Sequence, residues 1–347
     1  MVYVSHLCKV QKILIIQTAF IGDVVLATAL VEKLHQYFPD AQIDFLVRKG
    51  NESLLTGHPL LHEVLIWDKK KNKQKNLLKT LGAIRKRKYD RVINVQRFAA
   101  TGILTAFSGA TQTIGFDKNP FSFLFSKRVK HMIGDSGKAL HETDRNQFLI
   151  ADFTDKRAAK PRLYPSTSDA EFVTPYMREP FITISPASVW FTKQYPAEKW
   201  ISFIKQIPQG IRIFLLGAPS DIPLCDMIAA ESAGQKITVL AGKLSFLQSA
   251  ALMKEARMNF VNDSAPLHFA SAMNAPVSAV YCSTIPAFGF GPLSEKSHIV
   301  EILHSLSCRP CGLHGYKACP LGHFRCAYEI QEMQLVQCLD GVLQPRI

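Results

Sequence analysis

Short apolar runs alternate with longer amphipathic stretches through the first half of the chain. Residues 12–18 (KILIIQT) form the first apolar run and predict a buried strand. A helix is predicted over residues 24–34, because leucines recur there at every fourth position. Further strands are predicted at residues 43–47, 64–67 and 92–95. A basic helix, about residues 72–88, separates the last two, and this alternation favours a parallel sheet.

The alternation stops at residues 155–180, where prolines, serines and threonines predict a linker. Beyond it, strands are predicted at residues 181–185, 211–217, 237–241, 258–262 and 277–281, and helices at residues 197–207, 221–233, 245–256 and 267–273. The predicted fold class is therefore α/β, with two Rossmann-like domains that have parallel sheets and face a central cleft. A length of 347 residues agrees with two domains.

Composition narrows the class of protein. The chain is 47% hydrophobic and 20% charged, which is typical of a globular protein. No apolar run reaches the roughly 18 residues needed to span a bilayer. Residues 1–12 are too short and mixed for a signal peptide, so a cytoplasmic location is expected.

The net charge of +13 is concentrated in the first half of the chain. Residues 1–170 contain 27 Lys and Arg against 15 Asp and Glu, whereas residues 171–347 contain 14 against 13. A basic half favours an anionic partner, which can be a phosphorylated substrate, an acidic membrane surface or nucleic acid. For each short basic run taken alone, a solvated surface without a partner is an equally good interpretation.

The segment TAFIGD, residues 18–23, joins the first predicted strand to the first helix. Gly22 would permit a tight backbone turn, and Asp23 would lie at or near the start of the helix. Because Asp is a preferred capping residue, local chemistry alone favours a helix cap here. The segment has no GxGxxG pattern, which argues against a dinucleotide-dependent dehydrogenase.

Two later segments also follow predicted strands. In NDSAPLH, Asp263 ends a strand, and Ser264 precedes a helix whose first N–H groups can receive phosphate or sugar oxygens. His268 in that helix is either a ligand contact or an ordinary core histidine. In SPASVWFTKQYP, Ser188 offers a hydroxyl and Lys193 a charge suited to phosphate, although an exposed surface loop would give the same pattern.

Four of the eight cysteines fall within 19 residues, in the pattern C-x2-C-x7-C-x6-C. Such spacing resembles a structural zinc site, but the second pair is wider than usual. Buried thiols and an adventitious disulfide, taken together, are favoured over a zinc site. The four residues are Cys308, Cys311, Cys319 and Cys326.

Taken in order, these segments resemble the heptosyltransferases of glycosyltransferase family nine, which act in lipopolysaccharide core synthesis. The resemblance is carried by KILIIQTAFIGDVVLATAL, SPASVWFTKQYP, NDSAPLHFASAMNAPVSAVY and the closing CRPCGLHGYKACPLGHFRC. Each segment alone is a weak signal, whereas their order and spacing over nearly the whole chain are specific. The cysteine-rich end is most similar to heptosyltransferase II.

The resemblance implies a GT-B fold. An acceptor-binding domain would span residues 1–165 and a nucleotide-sugar-binding domain residues 166–325, with a final helix in residues 326–347 that packs back on the first domain. The implied donor is ADP-L-glycero-D-manno-heptose, and the implied acceptor is the anionic inner core of lipopolysaccharide. No cofactor, metal or nucleic acid is expected, and peripheral contact with the inner membrane agrees with this acceptor.

The resemblance also assigns roles to residues of this chain. Asp23 matches the general base of an inverting transfer. The predicted donor-binding residues are Gly22, Ser188, Lys193, Asp263, Ser264 and His268. The basic residues expected to contact the acceptor are Arg97, Lys118 and Arg145. The family usually has glycine at the positions of Ala265 and Cys282. These two departures bear on the specificity for the donor.

Three alternative functions remain at this level. The first is a transferase that uses another nucleotide sugar on the same scaffold. The second is a nucleotide-sugar-binding relative without catalysis. The third is nucleic-acid binding through the basic half, which is disfavoured because no helix-turn-helix or aromatic-interleaved basic motif is present.

Overall fold

A six-stranded parallel sheet lies at the centre of each of the two units into which the chain divides. The computed structural model describes residues 10–133 and 139–340. The first unit comprises the described residues up to Met132 together with Thr143–Pro161. The second comprises the described residues of Ile133–Glu142 and those from Arg162 onward.

The first unit is built on strands and helices that alternate along the chain. Its strands are β1 (Lys12–Ile16), β2 (Gln42–Arg48), β3 (Glu63–Trp67), β4 (Arg91–Asn94), β5 (Gln112–Phe116) and β6 (Lys127–Val129). The helices along this part of the chain are α1 (Ile21–Tyr37), α2 (Lys73–Arg87), α3 (Ala99–Ala106) and α4 (Glu142–Gln147). The strand order is β3-β2-β1-β4-β5-β6. The order reverses between β1 and β4, and parallel sheets bind ligands beyond the carboxyl ends of strands at such a point.

Apolar residues of β1 and α1 form the centre of the first unit. All four residues after Lys12 in β1 are fully buried, which explains why the run has no polar alternation. The basic helix α2 covers one face of the sheet with Leu77, Leu81 and Ile84. Leu78 is 67% exposed, because it lies about 100° around the helix from Leu77.

The second unit repeats the same plan. Its strands are β7 (Phe181–Ser185), β8 (Arg212–Leu215), β9 (Lys236–Val239), β10 (Asn259–Asn262), β11 (Val277–Tyr281) and β12 (Ser297–Glu301). Its helices are α5 (Thr167–Val173), α6 (Ala197–Lys205), α7 (Ile222–Glu231), α8 (Phe246–Glu255), α9 (Ala265–Ala272), α10 (Arg325–Tyr328) and α11 (Glu332–Gln337). The order is β12-β11-β10-β7-β8-β9, so the reversal lies between β7 and β10.

The predicted linker and the final segment of the chain both contain helices. The linker contains α5, whose first turn is capped by Ser166, since its hydroxyl accepts from the N–H of Asp169 at 3.1 Å. In the segment 326–347, Leu335 and Leu339 belong to the core of the second unit, and residues 341–347 lie outside the described residues. Along residues 10–133 and 139–340, no helix is long and apolar enough to cross a membrane.

Candidate active site

The loop after β1 delivers Asp23 to the first turn of α1. Phe20 is the N-cap residue, and the Asp23 carboxylate accepts a hydrogen bond from the Phe20 N–H at 3.2 Å. Asp23 is half-buried and closes the first turn from the third position of α1. The cap expected at Asp23 is corrected, because Phe20 is the N-cap residue and its side chain has no hydrogen-bond acceptor, so only the Asp23 carboxylate bonds across this turn. Gly22 is the second residue of α1, within the helix, so it does not make the tight turn expected of it.

Hydrogen bonds from three other loops hold the loop after β1 in place. The hydroxyl of Thr18 donates to the side-chain oxygen of Gln96, beyond β4, at 2.5 Å. The side-chain amide of Asn51, beyond β2, donates to the Ala19 carbonyl at 3.0 Å. Lys69, beyond β3, donates to the Thr18 carbonyl at 2.9 Å. The loops at the carboxyl ends of four neighbouring strands therefore fix the position from which Asp23 projects.

Positive charge is concentrated around this loop. The Lys69 ammonium lies 4.7 Å from the centre of the Trp67 ring, and the Arg48 guanidinium lies 5.1 Å from that of Phe20. Burial, together with the charges of Arg48 and Lys73, lowers the pKa of Lys69 to about 8. A bound anion would relieve this repulsion, so the cluster is suited to a phosphate or carboxylate group.

The basic residues predicted from the sequence to contact the acceptor differ in their surroundings. Arg97 and Lys118 are exposed and follow β4 and β5, at the carboxyl edge of the first sheet. Arg145 is only 3% exposed, and its side chain donates to the Met132 carbonyl. The prediction for Arg145 is corrected, because a guanidinium buried in this way supports the fold of the first unit.

In the second unit, Lys193 and Asp263 form an ion pair at the topological switch point. Lys193 follows β7, Asp263 follows β10, and the charged atoms are 2.6 Å apart. The side chains are 14% and 5% exposed, so the pair is largely shielded from water. The hydroxyl of Thr284 donates to the same Asp263 oxygen at 2.6 Å. Two predicted site residues distant in sequence are thus in direct contact.

Further hydrogen bonds fix the backbone around this ion pair. The Asn262 side chain accepts from the Tyr195 N–H at 2.9 Å and donates to the Pro186 carbonyl at 2.8 Å. Thr192 accepts from the Ser283 hydroxyl at 3.0 Å and from the Tyr316 N–H at 2.7 Å.

The sequence interpretation missed these supporting residues and Thr284. Thr, Ser and Asn occur throughout loops, so the available signal was only their position immediately after predicted strands.

His268 lies within α9, and Ser264 lies at the start of this helix. His268 is 5% exposed, and its Nδ1 has no hydrogen-bond partner among the described residues. Burial lowers the pKa of His268 to about 3, and the charges of His141 and Lys193 act in the same direction. The imidazole is therefore neutral at physiological pH. Ser264 is the N-cap residue of α9, but its hydroxyl donates to the Asn262 carbonyl at 3.3 Å, so it does not cap the helix with its side chain.

The other positions singled out from the sequence, Ser188, Ala265 and Cys282, have different surroundings. Ser188 lies half-buried in the loop after β7, where its carbonyl accepts from the Gln194 side chain at 2.6 Å. Ala265 is the first residue of α9 and is partly exposed. The Cys282 side chain is fully buried in the core of the second unit, and burial raises the pKa of its thiol. Cys282 is therefore a packing residue in this chain.

Free thiols occur at all four clustered cysteines, Cys308, Cys311, Cys319 and Cys326. In the described part of the chain, the only group of three side chains with candidate ligand atoms within 4.8 Å of one another is Asp44, His62 and Glu63. There the Arg87 guanidinium lies 2.6 Å from Glu63 and 3.9 Å from Asp44, so both carboxylates already have a cation. Among the described residues, no three of the four cysteine sulfurs lie within 4.8 Å of one another.

The chain is similar to known proteins over most of its length. The family model described as glycosyltransferase family 9 (heptosyltransferase) matches residues 77–316. Lipopolysaccharide heptosyltransferase 3 of Escherichia coli (strain K12) is 26% identical over 283 residues, which are 77% of this chain and 81% of that relative.

Two solved structures share the fold. A family 9 glycosyl transferase from Veillonella parvula DSM 2008 has a TM-score of 0.82 and 21% identity, and the match covers 96% of this chain and 97% of that one. The E. coli ADP-heptose lps heptosyltransferase II has a TM-score of 0.78 and 21% identity, covering 96% and 98%. The α/β fold class with the GT-B fold is confirmed. Relatives of types II and 3 both match, so similarity alone does not assign the type.

Proposed function

The chain belongs to glycosyltransferase family 9, the heptosyltransferases, and is a glycosyltransferase; on that premise we propose that it transfers L-glycero-D-manno-heptose from ADP-heptose to the inner core of lipopolysaccharide. The proposed reaction is a single inverting displacement at the anomeric carbon. The acceptor hydroxyl loses its proton to Asp23 as its oxygen bonds to that carbon. The bond from the anomeric carbon to the diphosphate breaks at the same time, and ADP departs with the electron pair.

The position of Asp23 carries this proposal. A carboxylate held in the first turn of α1, at the switch point of the first sheet, lies where parallel sheets bind ligands. The capping hydrogen bond fixes its orientation, and an ionised carboxylate has about four acceptor sites, so capping does not prevent proton acceptance. Capping and catalysis are compatible roles for the same side chain.

The Lys193–Asp263 pair supports the donor half of the proposal. The diphosphate of ADP-heptose would compete with Asp263 for the Lys193 ammonium, and Asp263 would then be able to accept from sugar hydroxyls. The N-terminus of α9 adds N–H donors for phosphate oxygens, beside Ser264. We propose that these groups neutralise the departing ADP and that no metal is needed. The neutral imidazole of His268 would hydrogen-bond the donor through Nδ1, which has no partner among the described residues.

The basic cluster around the loop after β1 supports an anionic acceptor. Arg48, Lys69 and Lys73 lie close enough to repel one another, and Arg97 is exposed at the same edge of the sheet. Phosphate or carboxylate groups of a lipopolysaccharide inner core carry the complementary charge. The acceptor would therefore bind to the first unit with its hydroxyl near Asp23.

Mass spectrometry of an inner-core acceptor after incubation with ADP-heptose tests the proposal. The wild-type chain should add one heptose, and Asp23→Asn should slow transfer by about a hundredfold to ten-thousandfold, the usual contribution of a general base. Asp169→Asn is the control, because Asp169 is also the third residue of its helix, α5, and accepts from the N-cap N–H, that of Ser166, at 2.9 Å.

Three outcomes would contradict the proposed base or the proposed donor. Equal loss of transfer in Asp23→Asn and Asp169→Asn would assign Asp23 a purely structural role. Near-native transfer by a folded Asp23→Asn variant would exclude it as the base. Efficient transfer from a UDP- or GDP-sugar, with none from ADP-heptose, would overturn the proposed donor.

A further inference from the structure

Exposed apolar side chains and exposed basic residues occur together in residues 118–130, along the outer strands of the first sheet. Phe123 is 67% exposed and Leu124 is 44% exposed, in a short 3-10 helix at Ser122–Leu124 between β5 and β6. The basic residues are Lys118, after β5, Arg128, within β6, and Lys130, after β6. We call Phe123, Leu124, Lys118, Arg128 and Lys130 the outer-strand surface.

The apolar residues of the outer-strand surface are held outward by a rigid connection. Within it Asn119, Ser122 and Phe125 are buried, and the Ser122 hydroxyl donates to the Asp117 carbonyl at 3.0 Å. At the far end, the Ser126 hydroxyl donates to the carbonyl of Thr113 in β5 at 2.9 Å. The rings of Phe121 and Phe123 stack, with centroids 6.4 Å apart. An anchored backbone cannot fold these residues inward, so their exposure belongs to the stable structure.

The charges of the outer-strand surface are not neutralised by neighbouring acids. In the part of the chain that the structure describes, the side chains of Lys118, Arg128 and Lys130 have no hydrogen bond or ion pair. Lys127 differs, because it pairs with Asp152 at 2.7 Å. Arg128 and Lys130 are both exposed and two residues apart, so they project on the same side as β6 ends. The one acid in the connection, Asp117, accepts from the His131 N–H at 2.9 Å.

The outer-strand surface is continuous with the edge that carries the candidate active site. Residues after β5 and β6 lie at the carboxyl edge of the sheet, as do those after β1 and β4. The side-chain amide of Asn119 donates to the carbonyls of Gln96 and Phe98 at 3.1 Å each, which ties the connection to the loop after β4. Phe98 in that loop is 64% exposed and follows the exposed Arg97.

We propose that the outer-strand surface docks the protein on an anionic lipid bilayer. Phe123 and Leu124 enter the interfacial layer, and Lys118, Arg128 and Lys130 meet the lipid phosphates. Two adjacent exposed apolar side chains, on a connection flanked by basic residues that no neighbouring acid neutralises in the described part of the chain, fit such a surface. The role of the docking rests on the proposed function, because a lipid-linked acceptor must be reached at the membrane. The docking itself can be tested without any substrate.

Vesicle sedimentation of the full chain tests the proposal. The wild type should sediment with phosphatidylethanolamine–phosphatidylglycerol vesicles, less with phosphatidylcholine vesicles, and less at high salt. Phe123→Ser/Leu124→Ser and Arg128→Glu/Lys130→Glu should each weaken partitioning by about tenfold or more. Leu303→Ser, at a leucine 80% exposed in the second unit, controls for loss of an exposed apolar side chain. Lys75→Glu/Lys79→Glu on α2 carries the same change in net charge at another exposed site.

Each result supports or overturns the docking surface. Normal sedimentation of Phe123→Ser/Leu124→Ser, or an equal loss in Lys75→Glu/Lys79→Glu, would overturn it. A wild type that does not bind vesicles would also overturn it if light scattering shows self-association that Phe123→Ser/Leu124→Ser abolishes. That result would assign the surface to a second copy of the chain.

Transfer assays separate this proposal from the proposed function. With a soluble, delipidated acceptor, Phe123→Ser/Leu124→Ser should transfer heptose at the wild-type rate, whereas transfer to vesicle-embedded acceptor should fall. Absence of transfer by the wild type to either acceptor would overturn the proposed function and leave the sedimentation result intact.

Discussion

At the scale of single residues, the Lys193–Asp263 pair connects the stability of the second unit to its proposed chemistry. Lys193→Met should leave the Asp263 carboxylate buried without its cation, and such a change costs about 3–5 kcal/mol of folding free energy. The double variant Lys193→Met/Asp263→Asn should recover most of this stability, because neither charge remains. Urea unfolding of the variants measures both values.

ADP affinity should separate the chemical role of Lys193 from its structural one. Both variants should bind ADP about tenfold to a hundredfold more weakly, the value of a hydrogen bond to a charged group, with EDTA present throughout the calorimetric titration. Lys199→Met is the control, since Lys199 pairs with Glu332 at 2.9 Å with a similarly low exposure of 15%. Unchanged ADP binding by the double variant would remove Lys193 from the donor site.

Individual residues were also where the sequence interpretation erred. Arg145 has the charge of an acceptor contact but is buried, and Gly22 lies within a helix where a turn was expected. Residue type and spacing do not report burial, which depends on how distant segments pack. Asp23 could be singled out because its segment is the first of four whose order and spacing resemble those of the family-nine heptosyltransferases.

At the scale of elements, α3 depends on a glycine for its contact with the connection between β5 and β6. A Cβ at Gly102 would lie 2.2 Å from the side-chain oxygen of Asn119, which is buried and holds the loop after β4. Gly102→Ala should therefore destabilise the first unit by about 1–3 kcal/mol, the usual cost of overpacking. Urea unfolding measures the change.

The neighbouring helix provides a matched control for Gly102→Ala. Gly82 lies in α2, and a Cβ there would have no atom within 4 Å. Gly82→Ala should stabilise the protein by up to about 1 kcal/mol, because alanine is the better helix former. Equal effects of the two substitutions would show that helix propensity, and not the contact with Asn119, determines the result.

Prediction at this scale succeeded where periodicity was strong. Strands β7 and β11 have the predicted limits, and α2 differs from its predicted limits by one residue at each end. Strands β5, β6 and β12 and helices α3, α4 and α5 were not predicted. Strand β6 has only three residues, too few for a period to appear, and in β5 the polar Gln112 and Thr113 leave no continuous apolar run.

At the scale of the whole molecule, three histidines make stability depend on pH. Burial lowers the pKa of His58 and of His131 to about 4 and that of His268 to about 3. In the unfolded chain their pKa is about 6.5, so between these values the unfolded state binds more protons. The free energy of unfolding should therefore be highest above pH 7 and should fall as the pH decreases below about 6.5.

Urea unfolding at pH 7, 6 and 5 measures this dependence. One fully buried histidine contributes about 2 kcal/mol of lost stability between pH 6.5 and pH 5. His58→Gln, at a residue 6% exposed in the first unit, should make the dependence shallower. A pH profile identical to that of the wild type would show that His58 is not kept neutral by the fold.

The sequence by itself determined the α/β class, the presence of two Rossmann-like units and the segments that carry site residues. These properties follow from local periodicity and from the order of motifs, both of which can be read directly from the sequence. Only the tertiary structure decided that Lys193 and Asp263 are in contact, that Thr284 supports them, and that Leu335 and Leu339 belong to the core of the second unit. Those contacts join positions far apart in sequence, and they depend on strand order and packing, which no local pattern encodes.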